Sequence, residues 1–432
     1  MALLAACGGN HGSAPPTALS YDTPQALYVT GETIAPNQAR ITGGKPTSFE
    51  VSPALPDGLS LDTRTGSITG QPTTRQRQTS HTVTARHVLG SVQTELRLTV
   101  TARGAWASVG TVPTPRHYST LSRLLDGRLL LAGGIGGAGP SGEADLYDPA
   151  SGTWSAAAPM LHLRSDPGAV RLTDGRVLVF GGDGVGLNTT VAAELYDPVA
   201  NTWTATGSMN EPRTRATAHL LPNGKVLVAG GYDRTGALSF SNTAEVYDPA
   251  TGTWSLLATP LSAARAQHAA ELLPDGTTLL VMGGVNASGF VTTAERYAVD
   301  GTATTPIAFA GSGNVHQSVR LDDGSVLVVS DAGTTARRFD PSTSTWTTST
   351  LSSTRSLPTM TLLADGRVLL AGGSSLNSAE IYNPDVNVWT TATPMANVRR
   401  AAVAQLLGDG RVLVVSGFDG VGEVNSTERY TP

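Results

Sequence analysis

The stretch Asp174-Gly175-Arg176-Val177-Leu178-Val179-Phe180-Gly181-Gly182 decides the fold of most of this chain. It places a turn dipeptide, a short apolar run and a glycine pair in direct succession, and Tyr196 and Trp203 follow. Asp-Gly favours a two-residue type I′ turn between antiparallel strands. A run that is apolar on both faces is typical of a strand packed between two layers. We therefore expect one sheet of a layered β structure here.

The same pattern occurs seven times after residue 104, as expected of a repeat protein. The turn dipeptides are Asp126-Gly127, Asp174-Gly175, Asn223-Gly224, Asp275-Gly276, Asp323-Gly324, Asp365-Gly366 and Asp409-Gly410. Glycine pairs follow at Gly133-Gly134, Gly181-Gly182, Gly230-Gly231, Gly283-Gly284 and Gly372-Gly373, with Ser330-Asp331 and Ser416-Gly417 in the other two repeats. The third strands contain Tyr147, Tyr196, Tyr247, Tyr297, Phe339, Tyr382 and Tyr430, and the fourth strands begin with Trp154, Trp203, Trp254, Trp346 and Trp389. These spacings resemble kelch repeats, and the resemblance implies a seven-bladed β-propeller in residues 104–432.

The last repeat reaches Tyr430 without a tryptophan strand of its own. A matching strand, with Trp106, stands at residues 105–109, directly before the first repeat. We expect this strand to complete the last blade, because closure of the ring removes the open sheet edges of a half-finished blade.

Residues 17–103 lack the repeat pattern and predict a second, smaller β domain. Strands are expected at residues 26–30, 48–51, 81–85 and 95–101, between turn-forming clusters. The segments Leu55-Pro56-Asp57-Gly58-Leu59 and Thr65-Gly66-Ser67-Ile68-Thr69-Gly70-Gln71-Pro72 resemble the signature LPxGLxLxxxTGxIxGxP of bacterial putative Ig domains. The resemblance implies an Ig-like β-sandwich that serves as a spacer or adhesion module and carries no catalysis.

Cys7 is the only cysteine of the chain and stands in Leu4-Ala5-Ala6-Cys7-Gly8. This context resembles a bacterial lipobox and implies a lipid-anchored protein of the cell envelope, at the outer membrane or cell surface. Residues 1–16 are then a truncated lipoprotein signal and a flexible tether, because the usual basic start and long apolar core are missing. The alternative is a chance cysteine in a disordered N-terminus.

The charge pattern argues against nucleic acid as a partner. The formal net charge is −5, the lysines are Lys45 and Lys225 alone, and no basic run occurs. No apolar run of 18 residues or more is present, so we expect lipidated Cys7 to be the only link to a membrane. We expect a monomer.

An arginine stands ten residues before the turn in six repeats, and an acidic residue stands two residues before the tyrosine in the same six. The remaining repeat has Gly313 and Arg337 at these two positions. We predict six ion pairs within blades, since both positions lie at one end of the blade with the glycines between them. The pairs are Arg116–Asp145, Arg164–Glu194, Arg213–Glu245, Arg265–Glu295, Arg355–Glu380 and Arg399–Glu428. The alternative function of these arginines is an anion-binding ring around the channel.

We letter the four strands of each blade a to d in chain order. The face with the glycine pairs is the predicted binding face, because it carries the long loops between strands b and c and between strand d and strand a of the next blade. The candidate ligand-binding residues are arginines outside the six pairs, neighbouring aromatic residues and the cluster Arg116-His117-Tyr118. They are Arg116, His117, Tyr118, Arg215, Tyr232, Arg234, Arg337, Arg400 and Phe418.

Kelch propellers include copper-radical oxidases, whose centre needs a cysteine cross-linked to a tyrosine. Cys7 lies outside the propeller, which argues against that chemistry, and we expect no cofactor and no metal. His117, His162, His268 and His316 leave a histidine-only metal site open, although packed or channel-facing rings are the simpler interpretation.

Three functions remain open. The first is a surface or periplasmic binding or adhesion lipoprotein, whose loop face binds a glycan or protein. The second is an enzyme that acts on a sugar without a cofactor, such as a kelch-type epimerase. The third is a scaffold in an envelope complex. The order of tether, spacer and propeller favours the first, by analogy of architecture.

Overall fold

The computed structural model describes residues 14–102, 104–309, 317–331, 333–374 and 376–432. The chain separates into two compact units, Met1–Arg103 and Gly104–Pro432. Cys7, Gly313 and His316 lie outside the described residues, so the predictions that concern them stay predictions. Among the described residues, no helix is long and apolar enough to cross a membrane.

The N-terminal unit is an Ig-like arrangement of three small sheets. Its strands are β1 (Pro16–Tyr21), β2 (Gln25–Val29), β3 (Ala39–Gly43), β4 (Ser48–Ser52), β5 (Leu59–Leu61), β6 (Ile68–Gly70), β7 (Gln76–His87) and β8 (Gly90–Thr101). The sheets run β2-β8-β7-β4, β1-β3 and β5-β6, and β2 pairs with β8 in parallel. The alternation of β8 buries Leu96, Leu98 and Val100, as expected from the sequence.

One signature glycine of this unit shows why the motif is structural. Gly66 adopts φ +76°, and a Cβ there would lie 2.7 Å from the ring of Phe49. Only glycine relieves both the backbone strain and the crowding at this turn. The signature therefore encodes packing around Phe49, a residue of the buried core.

The C-terminal unit contains, within its described residues, seven four-stranded antiparallel sheets arranged as the blades of a propeller. The closing strand is β9 (Ala105–Thr111). Blade 1 is β10 (Thr120–Arg123), β11 (Leu129–Ala132), β14 (Ala144–Asp148) and β15 (Thr153–Ala156), with a hairpin of β12 (Ile135–Gly136) and β13 (Gly139–Pro140). Blade 2 is β16 (Gly168–Arg171), β17 (Val177–Phe180), β18 (Ala193–Asp197) and β19 (Thr202–Ala205), with a 3₁₀ turn at Val185–Leu187.

The third and fourth blades also carry a hairpin between their second and third strands. Blade 3 is β20 (Thr217–Leu220), β21 (Val226–Ala229), β24 (Ala244–Asp248) and β25 (Thr253–Leu256), with β22 (Tyr232–Asp233) and β23 (Ser239–Phe240). Blade 4 is β26 (Ala269–Leu272), β27 (Thr278–Met282), β30 (Thr293–Ala298) and β31 (Thr304–Ala308), with β28 (Val285–Asn286) and β29 (Gly289–Phe290).

The remaining blades consist of four strands each. Blade 5 is β32 (Gln317–Arg320), β33 (Val326–Val329), β34 (Thr335–Asp340) and β35 (Thr345–Thr350). Blade 6 is β36 (Thr359–Leu362), β37 (Val368–Ala371), β38 (Ala379–Asn383) and β39 (Val388–Ala392). Blade 7 is β40 (Val403–Leu406), β41 (Val412–Val415), β42 (Ser426–Thr431) and β9.

The ring closes in two ways. The first strands of successive blades contact one another in order, and β40 of blade 7 contacts β10 of blade 1. The strand β9 pairs antiparallel with β42, so that Tyr430 faces Trp106 with their rings 5.0 Å apart. This strand extends two residues beyond the predicted 105–109 and contains a bulge between Ser426 and Glu428 of its partner.

An apolar cluster lies between each pair of adjacent blades, because the second strands bury both of their faces. Between blades 1 and 2, for example, Leu130 packs with Val177, Val179 and Tyr196. Trp203 of the fourth strand lies 5.0 Å from Tyr196 and joins the same cluster. The repeated tyrosine and tryptophan thus have a structural role between blades.

The prediction of type I′ turns at the Asp-Gly sites was wrong. In the first blade, the amide of Gly127 donates to the carbonyl of Leu124, so the turn is centred on Leu125 and Asp126. Gly127 has φ +91°, whereas Asp126 is not among the residues with positive φ. This is a three-residue connection with a glycine bulge. The aspartate side chain favours it by accepting the amide of Arg128 at 3.0 Å, and all seven repeats contain this contact.

Candidate functional site

Six blades each contain a buried arginine that binds across the loop-face end of the blade. Arg164 is typical: its guanidinium lies 2.7 Å from Glu194 and also donates to the carbonyl oxygens of Gly181 and Ala192. Arg164 and Glu194 are 0 % exposed. The arginine therefore joins strands b and c of its own blade through both charge and backbone hydrogen bonds.

The other five predicted pairs have N···O distances of 2.7–2.9 Å, although the backbone acceptors of Arg116 are instead the carbonyl oxygens of Thr114 and Leu131. They are Arg116–Asp145, Arg213–Glu245, Arg265–Glu295, Arg355–Glu380 and Arg399–Glu428. All six arginines are 0–1 % exposed. Burial lowers the pKa of Arg164, and the charge of Glu194 opposes this effect.

The burial of these six arginines argues against their alternative function, an anion-binding ring around the channel. An anion-binding ring needs guanidinium groups that a ligand can reach, and here each guanidinium is enclosed by its own blade. Arg116 was also expected among the ligand-binding residues, and the structure corrects this, because its side chain is fully buried. The six pairs hold the blades together and position the loops above them.

The second carboxylate oxygen of each glutamate has a partner that the sequence does not reveal. Oε2 of Glu194 accepts the amide of Leu161 at 2.7 Å, and the equivalent glutamates accept the amides of Asn210, Ser262, Ser352 and Ala396. Each amide belongs to the residue three positions before the arginine. In blade 1 this position is Pro113, which has no N–H, and blade 1 is also the one that uses the shorter Asp145.

The glycine pairs of blades 1, 2, 3 and 6 connect each of these blades to the next. The amide of Gly182 donates to the carbonyl of Arg213 in the following blade at 2.9 Å. A Cβ on the preceding Gly181 would lie 2.2 Å from that carbonyl oxygen. The pairs are therefore close contacts between backbones, which only glycine permits.

The rim of the central channel is formed by the residues that stand two positions after the six arginines. Each adopts a left-handed backbone, with φ between 49° and 55°. They are Tyr118, Asp166, Arg215, Gln267, Leu357 and Ala401. Neighbouring members bond through their backbones, as in Asp166 N to Tyr118 O at 3.0 Å and Ala401 N to Leu357 O at 3.0 Å. Such strain in non-glycine residues is costly, and it is concentrated at functional sites in other proteins.

These rim residues surround a cavity of about 320 Å³ at the mouth of the channel on the loop face. Tyr118, Asp166, Arg215 and Gln267 line one side of it, from blades 1 to 4. Leu357, Pro358, Ala401, Ala402 and Val403 line the other side, from blades 6 and 7. We call this space the mouth cavity.

An ion pair is the main charged feature of the mouth cavity. Nε of Arg215 donates to Oδ2 of Asp166 at 2.9 Å, and its guanidinium lies over the ring of Tyr118 at 5.0 Å. Burial raises the pKa of Asp166, and Arg215 opposes that shift. Burial is the largest single effect on Arg215 and lowers its pKa, but the charge and hydrogen bond of Asp166, together with Tyr232 and Tyr118, raise the pKa overall. The sequence analysis did not include Asp166 and Gln267 among the candidate site residues. Each stands two positions after a buried arginine, and this fixed spacing could have identified them.

The remaining candidate arginines lie outside this cavity. Arg234 stacks on Tyr232 at 4.8 Å and lies 3.5 Å from Asp183, and Arg400 stacks on Phe418 at 5.3 Å. Arg215 and Arg234 thus have acidic partners, contrary to the expectation that they are unmatched. Arg337 lies over Phe309 at 5.8 Å in blade 5.

Two of the four candidate histidines, His117 and His268, occupy packed positions. His117 lies between Tyr118 and Phe418, at 4.9 and 5.2 Å, and burial lowers its pKa. His268 bonds Thr217 at 3.1 Å, and burial lowers its pKa well below the usual value. His162 is half exposed and lies 3.6 Å from Glu194. The described residues contain no group of three or more His, Cys, Asp or Glu side chains that could hold a metal ion.

Comparisons with known proteins agree with both units. Residues 10–101 match the Putative Ig domain family, and residues 213–261, which lie in blade 3, match the Kelch motif. The chain combines a kelch propeller with an Ig-like domain. A solved fungal alcohol oxidase of the AA5 family, in complex with copper, aligns with a TM-score of 0.61 and 19 % identity over 76 % of each chain. That identity shows the fold alone, and no curated protein matches the chain.

The sequence argues against the copper-radical chemistry that some kelch propellers carry out. Residues 104–432 contain no cysteine, so the cysteine–tyrosine cross-link cannot form here. The residues at the mouth of the channel are instead an ion pair, amides and hydroxyl groups.

Proposed function

We propose that the protein is a binding protein of the bacterial cell envelope, anchored through lipidated Cys7, whose propeller holds a glycan or protein partner at the loop face. The observation that carries this proposal is the mouth cavity with its rigid rim. Six strained rim residues, tied to one another and to buried ion pairs below them, form a preorganised surface.

The surroundings of the cavity support a binding role. Exposed apolar side chains occur on the loops of this face, as at Leu187, Leu238, Phe290 and Val421. Arginines stacked on aromatic rings, as at Arg400 and Phe418, are frequent in binding hot spots. Kelch repeats generally mediate protein interactions, which favours the same face and role.

The face is tested with the full chain and a panel of glycans and acidic peptides. We expect a ligand that raises the unfolding temperature, and the shift should be lost when Phe418→Ala and Arg400→Gln are combined. Leu125→Ser is the matched control, because Leu125 is 66 % exposed on the opposite, short-turn face. Loss of binding in Leu125→Ser with full binding in the loop variant would contradict the proposal.

The anchor is tested separately. Metabolic labelling with a radioactive fatty acid should mark the protein when it is expressed with a full signal peptide in a Gram-negative host. Cys7→Ser should abolish the label and release the protein from the membrane fraction. Label that persists in Cys7→Ser would refute the anchor without bearing on the binding face.

A second function is favoured by one observation. Burial raises the pKa of Asp166 inside a cavity beside Arg215, which is an environment that suits an acid–base group. The candidate is an enzyme that acts on a sugar without a cofactor. Incubation with sugars followed by NMR should then show a product that Asp166→Asn no longer forms.

A further inference from the structure

We infer that the mouth cavity binds an uncharged sugar unit and not an anion, and that Asp166 and Arg215 form hydrogen bonds with the hydroxyl groups of the sugar. This inference rests on the proposed binding function and names the ligand of the same site. It differs from the anion-binding ring that was the alternative function of the arginines on this face.

The orientation of Arg215 is the first step. Its Nε is bound to Asp166 and its plane lies against Tyr118, so its position is held from two sides. Within the described residues, its two terminal nitrogens have no hydrogen-bond partner. Oδ1 of Asp166 has none either. The pair therefore offers donors next to an acceptor.

Two neighbouring hydroxyl groups of a sugar fit such a pair. One hydroxyl donates to the carboxylate, and the next accepts from the guanidinium. Gln267 and Gln317 also line the cavity, and among the described residues neither amide group makes a side-chain hydrogen bond. Each amide can donate and accept, as a polyhydroxylated ligand requires.

Charge decides against an anion. Asp166 neutralises Arg215 at 2.9 Å, so the pair carries no net charge. His268, the histidine among the described lining residues, is kept neutral because burial lowers its pKa. A carboxylate that entered would lose its hydration and meet Asp166 as a like charge. The six arginines of the alternative anion-binding ring are buried in their own ion pairs and cannot contact a ligand.

The opposite wall of the mouth cavity is apolar and suits the C–H faces of a sugar ring. Leu357, Pro358, Ala401, Ala402 and Val403 present an apolar surface across from the polar groups. A pyranose ring has a similar division, with hydroxyl groups at its edge and C–H groups on its faces. The volume of about 320 Å³ is at the lower end for ligand pockets, which suits one sugar unit.

The test uses the full chain and isothermal calorimetry. The neutral probes are methyl glucoside, methyl galactoside, methyl mannoside and their uncharged disaccharides, and the anionic probes are glucuronate, sialyllactose and a glutamate-rich peptide. Asp166→Asn keeps the size of the side chain and tolerates the left-handed backbone, but it leaves the site with a positive charge. Arg215→Gln leaves a negative charge. Arg171→Lys, on an exposed position of β16, is the control.

We expect a neutral saccharide to bind, with affinity reduced at least about tenfold in both mouth variants and unchanged in Arg171→Lys. Added salt should have little effect, because the ligand carries no charge. If only anions bind, and Asp166→Asn strengthens them while Arg215→Gln abolishes them, the sugar inference is overturned and the binding function stands. Binding that neither mouth variant affects overturns the placement in this cavity. No binding of any probe would overturn the inference. If, in addition, no ligand of the panel raised the unfolding temperature in a way that the combined Phe418→Ala and Arg400→Gln variant abolishes, the proposed function would be overturned as well.

Discussion

Removing one carboxylate from a buried pair should destabilise the propeller strongly. In Glu194→Ala, Arg164 stays charged and 0 % exposed with no counter-ion, and the amide of Leu161 loses its acceptor. Breaking a buried pair in this way costs about 4 kcal/mol. For a unit of roughly 330 residues, this corresponds to about a 6 °C fall in the unfolding temperature.

The assay can be confined to the propeller without cutting the chain. All six tryptophans lie after residue 104, so their fluorescence reports on the propeller in the full-length protein. Urea titration of the wild type and Glu194→Ala gives the difference in unfolding free energy, provided that both transitions have the same slope. Lys225→Ala, which removes an exposed ion pair with Asp248, should leave the midpoint nearly unchanged.

The length of the acidic side chain should also affect the unfolding free energy. Glu194→Asp should lose the bond to the Leu161 amide and cost about 1–2 kcal/mol. Asp145→Glu should bring no matching gain, because Pro113 has no amide to bind. A loss below about 1 kcal/mol in Glu194→Ala would refute the account of the pairs as buried charges. A gain in Asp145→Glu equal to the loss in Glu194→Asp would refute the role of the second oxygen.

Three further predictions concern packing, pH and closure. Gly181→Ala should cost more than about 2 kcal/mol, because φ is +62° and the new Cβ would lie 2.2 Å from the carbonyl of Arg213, whereas Gly137→Ala, with nothing within 4 Å, should be neutral in the same urea titration. Burial lowers the pKa of His219 from 6.5 to about 4, so the unfolded chain takes up a proton before the folded one and stability falls by about 3 kcal/mol as pH falls from 6.5 to 4. His219→Gln should remove that part of the loss, and an unchanged pH dependence would contradict the assignment. Trp106→Phe should cost about 1 kcal/mol by removing the indole hydrogen bond of the closing strand, as read from the remaining tryptophans, and no change would show that this bond adds nothing to closure.

The repeat pattern predicted most of the fold because each blade is encoded locally. The turn, the apolar strand, the glycine pair and the tyrosine follow one another within a few dozen residues, so their order and spacing are visible without any structure. The pairing of Arg164 with Glu194 was predictable for the same reason, since the two stand 30 residues apart within one repeat. The turn type was not, because Asp-Gly suits two geometries and the contact between Asp126 and the Arg128 amide selects between them.

The candidate site depended on contacts between repeats, and these are absent from the pattern of any single repeat. Asp166 and Arg215 stand 49 residues apart on different blades, and their pairing follows from the curvature of the ring. The same curvature places Gly181 against Arg213 and sets the polar rim opposite Leu357 across the channel. Sequence alone therefore determined the blades and their internal ion pairs, which depend on local spacing. The tertiary structure decided the mouth cavity, because its walls come from blades that meet only when the ring has closed.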